Sequence, residues 1–144
     1  MQRFALPAGP PPEAVINLEA ARYEQRARLA MVANEYFAPD LLFAETTNTI
    51  WKKIRRGELK LAEGRRLVSD INRVAVGTIS CRTLTEDAHT LAHATGQTVY
   101  DALYVALAVR LDTCLVTADD RLEAALSKVP ALARHVPQVD ALRS

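Results

Sequence analysis

Only two cysteines occur in the 144 residues, Cys81 and Cys114, at no metal-ligand spacing. That excludes a disulfide-stapled scaffold and fits a reducing compartment. Cys114 stands inside an apolar run and is expected to be buried and inert. No stretch is long and apolar enough to span a bilayer. The N-terminus has no basic region followed by an apolar run, so no signal peptide is expected and the chain reads as cytoplasmic, with no membrane partner. An excess of one charge is lacking too: 18 Lys and Arg stand against 17 Asp and Glu, for a net charge of +1. No global field therefore draws the chain onto nucleic acid, and any such binding needs a local basic patch. Aromatic residues make up 6%, too thinly interleaved with basic residues to indicate base stacking. There is no Gly-rich phosphate loop, no nucleophile elbow and no arrangement suggesting an acyl-transfer triad.

What is present is an ordinary globular composition, 49% apolar and 24% charged, in a length that suits one domain. Residues 1–13 hold Pro7, Gly9, Pro10, Pro11 and Pro12 and read as an extended leader. Residues 14–144 read as a single domain. Within it, Ala14 to Asn34 favours helix by composition. Asp40 is placed to cap a helix running to about Arg56, with Gly57 ending it. Lys60 to Val74 shows helical spacing of Leu67, Val68, Ile71 and Val74. Thr78 to Arg82 suits a short strand, and Thr85 starts a helix closed by Gly96. Thr98 to about Leu111 is the clearest helix, apolar on most sides, with Thr98 and Asp101 in capping-box spacing. Thr113 to Thr117, TCLVT, is the best buried strand. Leu122 to Val129 forms the next helix, and an edge strand is expected near His135 to Val139. Helix, strand, carboxylate, helix is the pattern of an α/β domain with a parallel sheet, in which sites gather outside the carboxyl ends of the strands.

Three acids stand out because each opens a helix among apolar neighbours: Glu45 in PDLLFAETTN, Asp101 in TVYDALYVALA and Asp119 in LVTADDRL. Folding should carry all three to the edge of a core. Two carboxylates ~4 Å apart repel by roughly 4 kcal/mol at an effective dielectric near ~20. A divalent cation offsets this most simply and points to phosphodiester chemistry. Each acid also has an ordinary structural explanation. Asp119 could cap the following helix, with Asp120 sharing that role. Asp101 occupies the acidic position of a capping box, and Glu45 profits from the helix macrodipole. The coincidence of three, rather than any one, points to chemistry.

Glu45, Asn48 and Lys52 fall at i, i+3 and i+7, so a carboxylate, an amide and an ammonium share one helical face. Lys52, Lys53, Arg55, Arg56, Lys60, Arg65, Arg66 and Arg73 crowd the middle third, either as a phosphate-tracking surface or as ordinary helix solubility. His89 and His93 stand at i and i+4, the spacing of two metal ligands on one turn. With no HExxH glutamate and no obvious third ligand, a partly exposed helical surface is the expectation there.

Taken in order, APDLLFAETTNTIWK, TVYDALYVALA and LVTADDRL resemble the PIN-domain family, and within it the VapC-type toxins of bacterial toxin–antitoxin pairs. The resemblance runs from about Tyr23 to Leu126. It implies a PIN-like three-layer α/β/α fold around a short parallel sheet, with acids binding Mg²⁺ or Mn²⁺. It also implies endoribonuclease activity held off by a cognate antitoxin protein. Carried over by residue, Glu45, Asp101 and Asp119 become catalytic metal ligands and Asp120 an accessory one, with Asn48 and Thr117 as polar helpers. Lys52, Arg55 and Arg56 would guide the RNA substrate. A homodimer is implied as well, and the apolar helix after Thr98 fits one.

The chain departs from the family at one point. Members usually open with a short apolar strand carrying the first aspartate, in a form such as V-x-D-[AST]-[SN]. The nearest stretch here is AVINLEAA, which has Asn17 where an acid is wanted and lies close to Pro39. The N-terminal strand is therefore expected to be atypical or missing, with Glu13 and Glu19 the nearest acids to stand in. Two functions follow: a Mg-dependent endoribonuclease toxin, or a catalytically impaired PIN-fold protein acting through antitoxin binding or dimerisation. A nuclease acting on DNA is a third, weaker reading.

Overall fold

A computed structural model describes residues 13–17, 35–117 and 119–136. The sheet has four strands, β1 (Glu13–Asn17), β2 (Glu35–Pro39), β3 (Val76–Ile79) and β4 (Cys114–Thr117). Their order is β3-β2-β1-β4, and every pairing is parallel. The helices are α1 (Leu41–Arg55), α2 (Leu61–Ile71), α3 (Thr85–Thr95), α4 (Val99–Leu111), α5 (Asp120–Ser127) and the single turn α6 (Pro130–Ala133). A 3₁₀ turn, Cys81–Leu84, joins β3 to α3.

The N-terminal strand is present, which corrects the expectation that it could be missing. Residues 14–17, read as the start of a long helix, instead form an inner strand paired on both edges. Glu13, Ala14 and Val15 lie beside Glu35, Tyr36 and Phe37. Ala14 to Asn17 lie beside Cys114 to Thr117. Helix-forming composition loses here to pairing on two sides, a non-local effect that a propensity count cannot see. Nearness to Pro39 is no obstacle. Residues 18–34 separate β1 from β2, more than the dozen or so that a parallel crossover needs. The remainder of that expected helix, and residues 1–12 of the expected leader, lie outside the described residues.

The other elements fall close to their expected places. β4 is buried at every position, as a strand covered on both faces requires. α4 is buried continuously from Ala102 to Ala108 and lies against β1, β2 and β4 as well as α3. The stretch from Ala102 to Ala108 is thus packed within the chain, while Val99, Tyr100 and Val109 of the same helix stay exposed. Leu42, Leu84, Leu115, Leu122 and Leu126 complete the core around it. Each stabilises the fold by about 1.5–3 kcal/mol on burial.

Glycines mark two junctions. Gly96 takes φ +72 at the end of α3, the left-handed C-terminal cap that glycine adopts without a Cβ penalty. Gly77 lies opposite Phe37 in the sheet, where an added Cβ would meet the ring at 2.7 Å.

Two expectations fail locally. Asp40 occupies the cap position of α1 but makes no side-chain cap bond. Its Oδ1 instead accepts the backbone N–H of Cys81 at 3.0 Å, tying the end of β2 to the turn after β3. The edge strand near His135 does not form at His135 or Val136, and residues 137–139 lie outside the described residues. One backbone bond, Leu115 N–H to the His135 carbonyl at 2.7 Å, holds that segment against β4. The His135 ring then bonds the Thr113 carbonyl at 2.8 Å, which completes the attachment without a ladder.

Candidate functional site

The carboxyl ends of the strands assemble from sequence-distant pieces. Asn17 at the end of β1 pairs with Thr117 at the end of β4, and Pro39 pairs with Ile79. α1 begins directly beyond β2 and α5 directly beyond β4, so their first turns open on this edge.

Glu45 is half-buried in the second turn of α1. Its Oε1 accepts a hydrogen bond from the hydroxyl of Tyr104 at 2.7 Å, and Tyr104 is fully buried on α4. Asp101 sits in the first turn of α4, half-buried, and its backbone N–H donates to Thr98 Oγ1 at 3.2 Å. Asp101 and Tyr104 are three residues apart on one helix, hence neighbours on one face. The Tyr104 bond therefore brings Glu45 to the face of α4 that carries Asp101.

Asp119 is the cap of α5, with Oδ1 accepting from the backbone N–H groups of Arg121 at 3.1 Å and Leu122 at 3.2 Å. Its own N–H donates to the buried Thr117 Oγ1 at 3.1 Å. Thr117 thus shapes the turn that presents Asp119, and the Asp119 Oδ2 oxygen takes no part in the cap. Asp120 is exposed on the first turn of α5. Glu123, not singled out from the sequence, joins these two acids. Burial, then the charges of Asp120 and Asp119, push its carboxyl above the usual range. Its position four residues after Asp119 was the available signal. Tyr104 has no signal of its own in an apolar run, although its spacing from Asp101 is legible.

Asp40 and Cys81 border the same edge. Hydrogen bonds from Cys81 hold the Asp40 carboxyl below its usual value. Burial, the Asp40 hydrogen bond and the charges of Asp40 and Glu45 hold the Cys81 thiol up. Neither cysteine is a ready nucleophile: burial alone pushes Cys114 to about 11.

Asn48 and Lys52 are exposed on α1, as their shared face with Glu45 predicts. Lys53 and Arg55 join Lys52 in the last turn of α1, where positive charge complements the helix dipole. The Arg55 guanidinium lies 5.0 Å from the centroid of the exposed Trp51 ring, and Arg56 is exposed just beyond. This basic end lies toward the far end of α1 from Glu45, about ten residues on, or ~15 Å along the axis.

Among the described residues, no three carboxylate, imidazole or thiol groups lie together closely enough to hold one ion. The acids come to one edge, with Glu45 and Asp101 on a common face, but they do not form a closed cage. Hard oxygen donors of this kind suit Mg²⁺ or Mn²⁺. Mg²⁺ usually takes only one or two carboxylates, with waters and substrate phosphates supplying the rest. The donor chemistry therefore fits such an ion.

The sequence matches the PIN domain over residues 14–126. The chain belongs to the PIN-domain family. A curated relative, Ribonuclease VapC3 of Pyrobaculum aerophilum, is 36% identical over 121 residues, covering 83% of this chain and 90% of the relative. With that relative beside it, the PIN domain here is of the VapC type. The crystal structure of PAE2754 from Pyrobaculum aerophilum superposes with a TM-score of 0.63 at 21% identity, over 82% of this chain and 85% of that one. At that identity it supports the fold alone: a three-layer α/β/α PIN architecture around a short parallel sheet. Within the PIN match, β1 ends on Asn17 rather than an acid.

Proposed function

We propose that this chain is an endoribonuclease toxin of the VapC kind, cytoplasmic and paired with a cognate antitoxin protein. The observation that carries the reading is the Tyr104–Glu45 bond, which sets Glu45 on the face of α4 that carries Asp101, at the carboxyl edge of a PIN sheet. The name of the 36% identical relative, Ribonuclease VapC3, supports RNA as the substrate class. Glu45, Asp101 and Asp119 would hold Mg²⁺ or Mn²⁺, with Asp120 accessory. Held by these residues, such an ion would supply charge stabilisation at the scissile phosphate and help activate water for the attack. The chain's own residues do the positioning. Tyr104 fixes the Glu45 carboxylate, Thr117 fixes the turn of Asp119, and Asn48 lines the exposed side of α1. Lys52, Arg55 and Arg56 provide a local positive surface for the RNA backbone.

The test is cleavage of a mixed structured RNA in Mg²⁺ or Mn²⁺, with chelator as control, by wild type and Asp101→Asn. Cleavage that needs the ion and is lost in a folded Asp101→Asn variant is expected. Equal cleavage by both proteins would overturn the assignment.

One observation favours a second reading. β1 ends on Asn17, in register with Thr117, so the residue at that strand end is not an acid. On that reading the PIN fold is kept for antitoxin binding or for pairing with a second copy, with catalysis impaired. Folded wild type that cleaves no RNA yet captures an antitoxin would favour it.

A further inference from the structure

The chain has three histidines, and the structure divides them sharply. His135 is buried, with its ring nitrogen on the Thr113 carbonyl. His89 and His93 are exposed on successive turns of α3. Spacing alone would leave them as an ordinary solvated face. Their rings, however, are turned toward each other, with centroids 4.7 Å apart and planes at 83°. The two Nε2 atoms lie 3.3 Å apart.

That separation suits a shared metal ion. A tetrahedral ion with Zn–N bonds of about 2.0–2.1 Å places any two of its nitrogen ligands roughly 3.3–3.4 Å apart. The same distance also serves an N–H···N bond between two neutral rings, so a shared proton can occupy the position when no metal does. Imidazole is a ligand for d-block dications rather than for Mg²⁺, which sets this pair apart from the carboxylates at the strand ends.

We propose that His89 and His93 form a second metal site, a two-imidazole clamp on α3 for a d-block dication such as zinc. Among the described residues no third carboxylate, imidazole or thiol joins them, so water completes the coordination. Asp87, on the same helix, pairs instead with Arg110 at 3.4 Å. The ion would link two consecutive turns of α3, and α3 packs along α4. Occupancy should therefore stabilise the folded state by mass action.

The test is titration of the whole chain with Zn²⁺ by calorimetry, with the melting temperature followed in parallel. The proteins compared are wild type, the double variant His89→Ala/His93→Ala, and Glu45→Gln. Both histidines are exposed, so the double variant keeps the core, and circular dichroism checks this. Wild type and Glu45→Gln are expected to bind zinc and to melt higher in its presence. The double variant is expected to lose both effects. Unchanged zinc affinity in the double variant, or no zinc-dependent shift in wild type, would overturn the proposal.

Discussion

Tyr104 carries a hydroxyl into the interior, where it donates to the carboxylate of Glu45, fifty-nine positions away in the chain. This long-range bond fixes a Glu45 rotamer that an exposed helix would leave free. Partners of this kind typically change metal affinity or activity 10–100-fold when removed. Tyr104→Phe keeps the ring and its packing, so the fold should survive while RNA cleavage falls by roughly tenfold or more. Cleavage rates beside a melting curve check this. A variant that loses stability but keeps the wild-type rate would reduce Tyr104 to a packing residue. Such a contact could not be read from the sequence, where Tyr104 is one apolar position among several in YVALA. The position of Asp101 was legible because the Thr98 cap places it in the first turn of a helix.

At the scale of elements, α4, β4 and α5 were legible because each carries a local signature. Thr98 caps α4, β4 is a short apolar run buried at every position, and Asp119 caps α5. β1 was not legible, since five residues become a strand only through partners on both sides. Asp40 likewise looked like a cap but serves the backbone of Cys81, a contact set by sheet order and not by neighbours in sequence. The double duty of Asp119 can be separated. Asp119→Ala removes the cap and should cost about 0.5–2 kcal/mol. Asp119→Asn retains an oxygen acceptor and should melt near wild type. Both should lose cleavage. Denaturant unfolding and an RNA assay on the same samples decide it, and full activity in Asp119→Asn would leave the residue with the cap alone.

For the whole molecule, the attachment of the segment after α6 to β4 makes stability depend on pH. His135 donates from Nδ1 to the Thr113 carbonyl at 2.8 Å and accepts at Nε2 from Arg134 at 3.3 Å, the pattern of a neutral ring. Burial, and then the Arg134 charge against the Thr113 bond, lowers its pKa from 6.5. The unfolded chain therefore binds the proton more readily. The stabilisation is complete above the unfolded value and is lost as pH falls below it through the folded one. Unfolding free energies measured across that window should decline toward acid in wild type. In His135→Gln that component should be absent, and an identical slope in both proteins would contradict the assignment.

The whole account rests on the strand-end acids acting together on one ion. Mn²⁺ binding to wild type, Glu45→Gln and Asp101→Asn, followed by electron paramagnetic resonance, tests this most directly and does not depend on finding the right RNA. The account predicts a bound Mn²⁺ in wild type that each substitution weakens strongly while the fold is retained. Folded wild type that binds no Mn²⁺ at millimolar concentration, or that binds it equally well in both variants, would contradict it.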